Sequence, residues 1–175
     1  MTSMMYAMAV ESFVPGLNSL TSLLDKGAAY ARESKLDLVN ARLAPDMYTL
    51  AQQVQQACNY AKDGTVRLTG RIPAERDAVG TSFAGLKAEI ARTIEHLDGV
   101  TAAAFEGAEG RDCSIDRSDE GFVITMDGLR FLRAWSLPHF YFHLVTAYDI
   151  LRHNGVDIGK RDYASWIGDF VRPHN

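Results

Sequence analysis

Apolar residues recur every three or four positions in four long segments of the chain, the spacing that places side chains on one face of an α-helix. The predicted helices cover 12–33, 46–69, 81–97 and 137–154. The stripe of the first helix consists of Phe13, Leu17, Leu20, Leu24 and Ala28. Four amphipathic helices in one chain predict a helical bundle.

Prolines and glycines set the predicted ends of these helices. Pro45 disfavours helix at the residue before it, so the second helix is expected to begin near Pro45 or Asp46. Asp46 is then in the first turn, where the helix dipole favours a carboxylate. Gln53 and Tyr60 follow at seven-residue intervals and border the apolar stripe of this helix. Pro138 suits the first position of the last helix.

The apolar period changes between residues 111 and 126, where it becomes an alternation. Cys113 and Ile115 alternate with polar neighbours, as do Phe122, Ile124 and Met126. The intervening residues 116–121 are turn-compatible, so this part of the chain predicts a β-hairpin. Residues 128–135 are predicted as a short helical lead-in to the last helix. The apolar groups of the tail, 156–175, predict docking on the body or on a second subunit.

Length and charge narrow the function classes. The 175 residues suit one domain, 1–175, with a core of ordinary size. A net charge of −4 argues against nucleic-acid binding, which needs clustered positive charge. The N-terminus has no basic region and a short apolar run, so neither a signal peptide nor a membrane span is expected. Two cysteines form no disulfide framework, which favours a reducing cytoplasm.

The candidate chemistry lies in the last helix, where His139 and His143 are four residues apart and share one face. One interpretation is a divalent metal site for Zn or Ni, with Asp46 or Gln53 as a third ligand. The other is a semi-buried polar cluster in which the histidines form hydrogen bonds with Asp46, Gln53 and Tyr60. No glutamate stands beside either histidine in the H-E-x-x-H sense, which excludes a zinc protease of that class.

Several strings of the chain resemble a bacterial family of unknown function within the DinB-like (damage-inducible) four-helix-bundle superfamily. They are VNARLAPDM at 39–47, the QV-QAC--AK pattern from Gln53 to Lys62, FEGAE-R at 105–111, LPHFYFH at 137–143 and AYDILRHNGVDIGK at 147–160. The resemblance implies a mainly α DinB-like bundle, often dimeric. It also implies a divalent metal held by one histidine of the second helix and an H-x-x-x-H pair of the last helix. His139 and His143 match that pair, whereas 45–69 contains no histidine.

Two function hypotheses follow. The first is a dimeric small-molecule-binding or interaction module with a polar pocket between the second and last helices, formed by Asp46, Gln53, Tyr60, His139 and His143. The alternative is a metal-dependent enzyme of the superfamily type, a thiol-linked transferase or isomerase. The expected partners are a second copy of the chain, as a homodimer, and a small molecule.

Overall fold

The computed structural model describes residues 3–73, 78 and 80–172. Its long helices are α1 (Met4–Ser34), α2 (Leu50–Leu68), α3 (Phe83–Asp98) and α5 (Leu137–His153), with two short ones, α4 (Gly128–Arg130) and α6 (Lys160–Tyr163). The strands β1 (Asp112–Arg117) and β2 (Phe122–Asp127) pair antiparallel before α4. The fold is therefore mainly helical, with a hairpin before the last long helix, as the apolar periodicity predicts.

The four long helices surround one core. α2 packs against α3 and α5, and α1 closes the ring by packing against the same two helices. Consecutive helices α1 and α2 thus face each other across the interior, which the long connection between them permits. No helix in the described ranges has the length and hydropathy that crossing a bilayer requires.

The prediction that α1 begins near residue 12 is wrong, because the helix starts at Met4 and Pro15 lies inside it. Met5, Ala9 and Val10 are buried and extend the apolar stripe toward the N-terminus. Burial of these groups stabilises the extra turns and outweighs the one backbone hydrogen bond that proline cannot donate.

The prediction that Asp46 lies in the first turn of α2 is also wrong. Thr49 caps the helix, since its side chain accepts a hydrogen bond from the backbone N–H of Gln52 at 3.3 Å. The Gln52 side chain in turn accepts from the Thr49 backbone N–H at 2.9 Å, which completes a capping box. Asp46 therefore precedes the helix, in an exposed turn.

The last long helix, α5, begins at Leu137 with Pro138 in its first turn, as predicted, and further helical residues precede it. Asp127 caps α4 by accepting from the backbone N–H of Arg130 at 2.8 Å, and the chain stays helical through to α5. Between them Phe131–Ser136 forms a π-helix, in which the N–H of Leu137 reaches the carbonyl of Leu132. This wider turn immediately precedes Pro138, whose missing N–H cannot continue the α-helical pattern.

The hairpin and the tail are both attached to the helices. Cys113 and Ile115 bury one face of β1, and Gly121 closes the turn with φ of +87°. In the tail, Asp162 accepts from Lys26 at 2.7 Å, and the hydroxyls of Ser19 and Ser165 lie 2.7 Å apart. The described part of the tail is thus docked on α1.

Candidate functional site

The interface between α2 and α5 brings polar side chains together at its outer edge. Gln53 and Tyr60 lie two turns apart on α2, and His139 and His143 lie one turn apart on α5. His143 is 7% exposed and Gln53 is 1% exposed. Buried polar groups need partners, so their hydrogen bonds determine what chemistry remains open to them.

The hydrogen bonds of Gln53 define the tautomer of His143. The amide nitrogen of Gln53 donates to the backbone carbonyl of Tyr48 at 3.4 Å, which directs its oxygen toward His143. That oxygen lies 2.7 Å from Nδ1 of His143 and can only accept, so the imidazole donates from Nδ1. Nε2 of His143 is then a lone-pair nitrogen, and it accepts no hydrogen bond from the described residues.

His139 is held in the same tautomer by the backbone of its own helix. Its Nδ1 lies 2.7 Å from the carbonyl oxygen of Trp135, an atom that can only accept. In the neutral form of His139, the lone pair then lies on Nε2. The two imidazoles of the H-x-x-x-H pair thus have the same orientation of Nδ1 toward an acceptor for two different structural reasons.

Aromatic rings surround both imidazoles; the tyrosine planes lie within 23° of them, and that of Trp135 is tilted by 39°. The ring of Tyr60 stacks on His139 at a centroid distance of 4.7 Å and on His143 at 5.4 Å. Trp135 packs on His139 at 4.3 Å, and Tyr48 stacks on His143 at 6.3 Å. These five residues, Tyr48, Tyr60, Trp135, His139 and His143, are called the ring column below.

Burial and, as a smaller effect, the electrostatic influence of the nearby His139 together lower the pKa of His143 to about 4. Removing an imidazole from water disfavours its charged form, which is the larger of the two effects. At neutral pH His143 is therefore uncharged and acts as a hydrogen-bond acceptor through Nε2.

A groove of about 400 Å³ opens between α2, the hairpin and the ring column. Its lining comes from all of these elements: Tyr48, Gln56, Tyr60, Asp63, Arg67, Ile115, Asp116, Arg117, Asp119, Trp135 and His143. The volume lies in the range that drug-sized ligands occupy. Arg67 donates to the carbonyl of Ser114 and so ties the hairpin to α2 along the groove.

A larger groove of about 630 Å³ lies between α1, residues 36–39 and the start of α3. Just over half of its lining residues are apolar, and four are charged. Among the charged ones, Asp25 and Lys87 are joined at 2.5 Å, and Asp37 accepts a hydrogen bond from Asn40 at 2.7 Å. Ligand sites are distinguished by convergent polar groups with altered pKa values as well as by volume. The smaller groove has such a group, because His143 lines it and has a lowered pKa.

The structure brings four of the five sequence-predicted site residues together, namely Gln53, Tyr60, His139 and His143. Of the five, only Tyr60 and His143 line the groove, and Asp46 lies in the exposed turn before α2. Tyr48 and Trp135 are site residues that sequence reasoning missed. Trp135 could have been found, because it lies one helical turn before His139. Tyr48 lies in the connection before α2, whose path no periodicity predicts.

The described residues do not fit the three-ligand metal site that the superfamily resemblance implies. His139 and His143 offer two imidazole nitrogens, but the oxygen of Gln53 already accepts from His143. Across the described ranges no group of three His, Cys, Asp or Glu side chains is placed to hold a metal ion. A catalytic zinc site typically needs three protein ligands.

Neither cysteine supplies a nucleophile to this groove. Burial raises the pKa of Cys58 to about 12, and burial likewise raises the pKa of Cys113. The thiolate is the reactive form of cysteine, so both thiols are inert at neutral pH.

Comparison with known proteins agrees with this architecture. The family model described as a domain of unknown function, DUF1993, matches residues 5–164. The crystal structure of a DinB family member protein from Shewanella denitrificans is similar at 36% sequence identity and a TM-score of 0.85. That similarity covers 98% of this chain and 95% of the other. No curated protein matches the chain.

Proposed function

The chain belongs to the DUF1993 family and has a DinB-like fold, and from this premise we propose that it is a small-molecule-binding module that acts as a homodimer. The binding site is the groove between α2, α5 and the hairpin. The observation that carries the proposal is His143, which lines the groove, is 7% exposed and has an Nε2 lone pair to which no described residue donates a hydrogen bond. A ligand that donates a hydrogen bond to this atom would satisfy it.

The protonation states in the groove support binding over catalysis. A general base works best when its pKa lies near the operating pH. The pKa of His143, about 4, makes its imidazole a weak base at neutral pH. The raised thiol pKa values leave no cysteine nucleophile among the described residues. A fixed acceptor beside aromatic rings is suited to recognition.

A fragment screen tests the proposal. Neutral, cationic and anionic fragments are added to the full chain, and saturation-transfer NMR detects those that bind. Binding should weaken at least about tenfold in Tyr60→Ala, which removes a central ring of the column. Phe83→Ala, in the larger groove, is the matched control and should leave binding unchanged. Equal binding by the wild type and Tyr60→Ala would contradict the proposal.

The metal-dependent alternative is tested on the same protein. After treatment with a chelator, the chain is titrated with Zn²⁺ or Ni²⁺, and bound metal is measured by elemental analysis. We expect no stoichiometric binding, since the described residues supply two imidazoles and no third ligand. One tightly held ion per chain, lost in His143→Ala, would instead favour the metal-dependent enzyme.

Exposed apolar groups support the homodimer. Phe142 and Val145 project from α5 with 57% and 38% of their surface exposed, and Ile167 and Phe170 of the tail are more than half exposed. A closed two-fold dimer is the commonest soluble oligomer and would bury such groups. Light scattering at micromolar concentration should give twice the chain mass. Phe142→Glu should give the single-chain mass, and Phe122→Glu on the hairpin serves as the control.

A further inference from the structure

Two tyrosine rings lie nearly parallel to the imidazole of His143 at the groove. Atoms in van der Waals contact lie about 3.5–4.0 Å apart. The centroids of Tyr60 and Tyr48 lie 5.4 and 6.3 Å from that of His143, with planes tilted by 16° and 23°. Neither tyrosine ring therefore covers the imidazole face to face at contact distance. All three residues line the groove, so a planar group bound there would meet their rings.

Nε2 of His143 sets the orientation of such a group. The lone pair of an imidazole nitrogen lies in the plane of its ring. A planar ligand that donates an N–H to Nε2 in that plane would lie nearly parallel to the tyrosine rings. His143 is 7% exposed, and Nε2 is not among the fully buried atoms that lack a partner. The atom is thus reachable from the groove.

The charges around the groove favour a cation. The described lining of the groove carries the carboxylates of Asp116 and Asp119 beside the guanidinium groups of Arg67 and Arg117. Glu120 lies 3.6 Å from Arg117 and offsets its charge. Electron-rich faces of tyrosine and tryptophan also attract cations. An anionic ligand would meet this excess of carboxylates and gain little from Arg67, which already donates to the Ser114 carbonyl.

We infer that the groove binds a planar cationic heteroaromatic molecule that donates a ring or exocyclic N–H to Nε2 of His143 and stacks against the tyrosines of the ring column. This inference rests on the proposed small-molecule function and names its ligand class. Each group has a separate role in this inference. The imidazole of His143 orients the ligand, the aromatic rings favour a planar ligand, and the carboxylates favour a positively charged one.

Four probes separate these roles by calorimetric titration of the full chain at about pH 7.5. 4-Aminoquinoline is planar, protonated and carries N–H groups, so it should bind most tightly. Quinoline lacks the charge, decahydroquinoline lacks the flatness, and 1-methyl-4-(dimethylamino)quinolinium lacks the N–H. Each should bind at least about fivefold more weakly, the effect of losing roughly 1 kcal/mol.

Variants connect the selectivity to named side chains. Tyr48→Ala should weaken binding of 4-aminoquinoline at least about fivefold, whereas Tyr48→Phe keeps the ring and should stay within about twofold of the wild type. Phe122→Ala is the matched control, because Phe122 and Tyr48 are 47% and 48% exposed and Phe122 does not line the groove. Asp119→Asn should reduce the preference of 4-aminoquinoline over quinoline.

The outcomes distinguish this inference from the proposed function. Equal affinity for quinoline, decahydroquinoline and 4-aminoquinoline would overturn the ligand class. If the four probes do not bind while neutral or anionic fragments do so in a manner that depends on Tyr60, the class is wrong and the proposed function stands. If no fragment binds in that manner, both fail.

Discussion

The lowered pKa of His143 makes the stability of the fold depend on pH, and replacing this residue should remove that dependence. Burial lowers the pKa to about 4 in the folded chain, whereas a histidine in an unfolded chain titrates near about 6.5. The fold therefore favours the neutral imidazole. The resulting stabilisation is complete above about pH 6.5 and is lost as the pH falls toward the folded value.

The magnitude follows from the two pKa values. A difference of one pKa unit between the folded and unfolded chain corresponds to about 1.36 kcal/mol. The difference between about 6.5 and about 4 therefore changes the free energy of unfolding by about 3 kcal/mol once the pH is below both values. By about pH 5, about 2 kcal/mol of the free energy of unfolding should be lost relative to about pH 8.

Urea unfolding in the presence of a chelator measures this effect. Between about pH 8 and about pH 5, the free energy of unfolding should fall by about 2 kcal/mol more in the wild type than in His143→Gln. His153→Gln, an exposed position at the end of the same helix, is the control and should behave as the wild type. Burial also lowers the pKa of His96, but that residue is present in all three proteins and cancels in the comparison. Parallel curves for the wild type and His143→Gln would refute the reasoning.

Three further changes test other contacts. Gln53→Ala should lower the free energy of unfolding by about 1–3 kcal/mol, because the buried Nδ1–H of His143 loses its acceptor, and Gln53→Glu should restore part of the loss in urea melts. Gly64→Ala should cost about 1–3 kcal/mol, since its new Cβ would clash with Oγ of Ser136, and Ser136→Gly should recover part of the stability in the double variant, because it also removes the hydrogen bond that Ser136 donates to the Tyr60 carbonyl. Cys58 should resist alkylation in the native protein and react once urea unfolds it, because burial raises its pKa to about 12.

The helices could be predicted from the sequence because their signal is local. Stripes such as Phe83, Leu86 and Ile90 repeat within a few residues, and α3 lies at Phe83–Asp98 against a prediction of 81–97. The predicted starts of α1 and α2 were wrong because burial of apolar side chains or a side-chain cap, and not the nearby proline, determines where each helix begins. Met5 extends α1 past the expected start, and Thr49 moves the start of α2 beyond Asp46.

The candidate site was less accessible to sequence reasoning. Residues on helices, such as Gln53 and His143, could be placed by periodicity once α2 and α5 were taken as neighbours. Tyr48 and Arg117 could not, because they lie in a connection and at the end of a strand whose positions depend on the finished fold. The hydrogen bond that His139 donates to Trp135 ends on a backbone carbonyl, which the residue types do not reveal.

The two tryptophans of the chain provide the most direct test of the claim that the groove is the ligand site. Trp135 lines the groove, whereas Trp166 lies on the tail against α1. Each contributes one indole N–H signal to a ¹H–¹⁵N NMR spectrum, and Trp166→Phe assigns them. Addition of 4-aminoquinoline should shift the Trp135 signal in a saturable manner and leave the Trp166 signal in place. Saturable binding that leaves Trp135 unmoved would contradict the account.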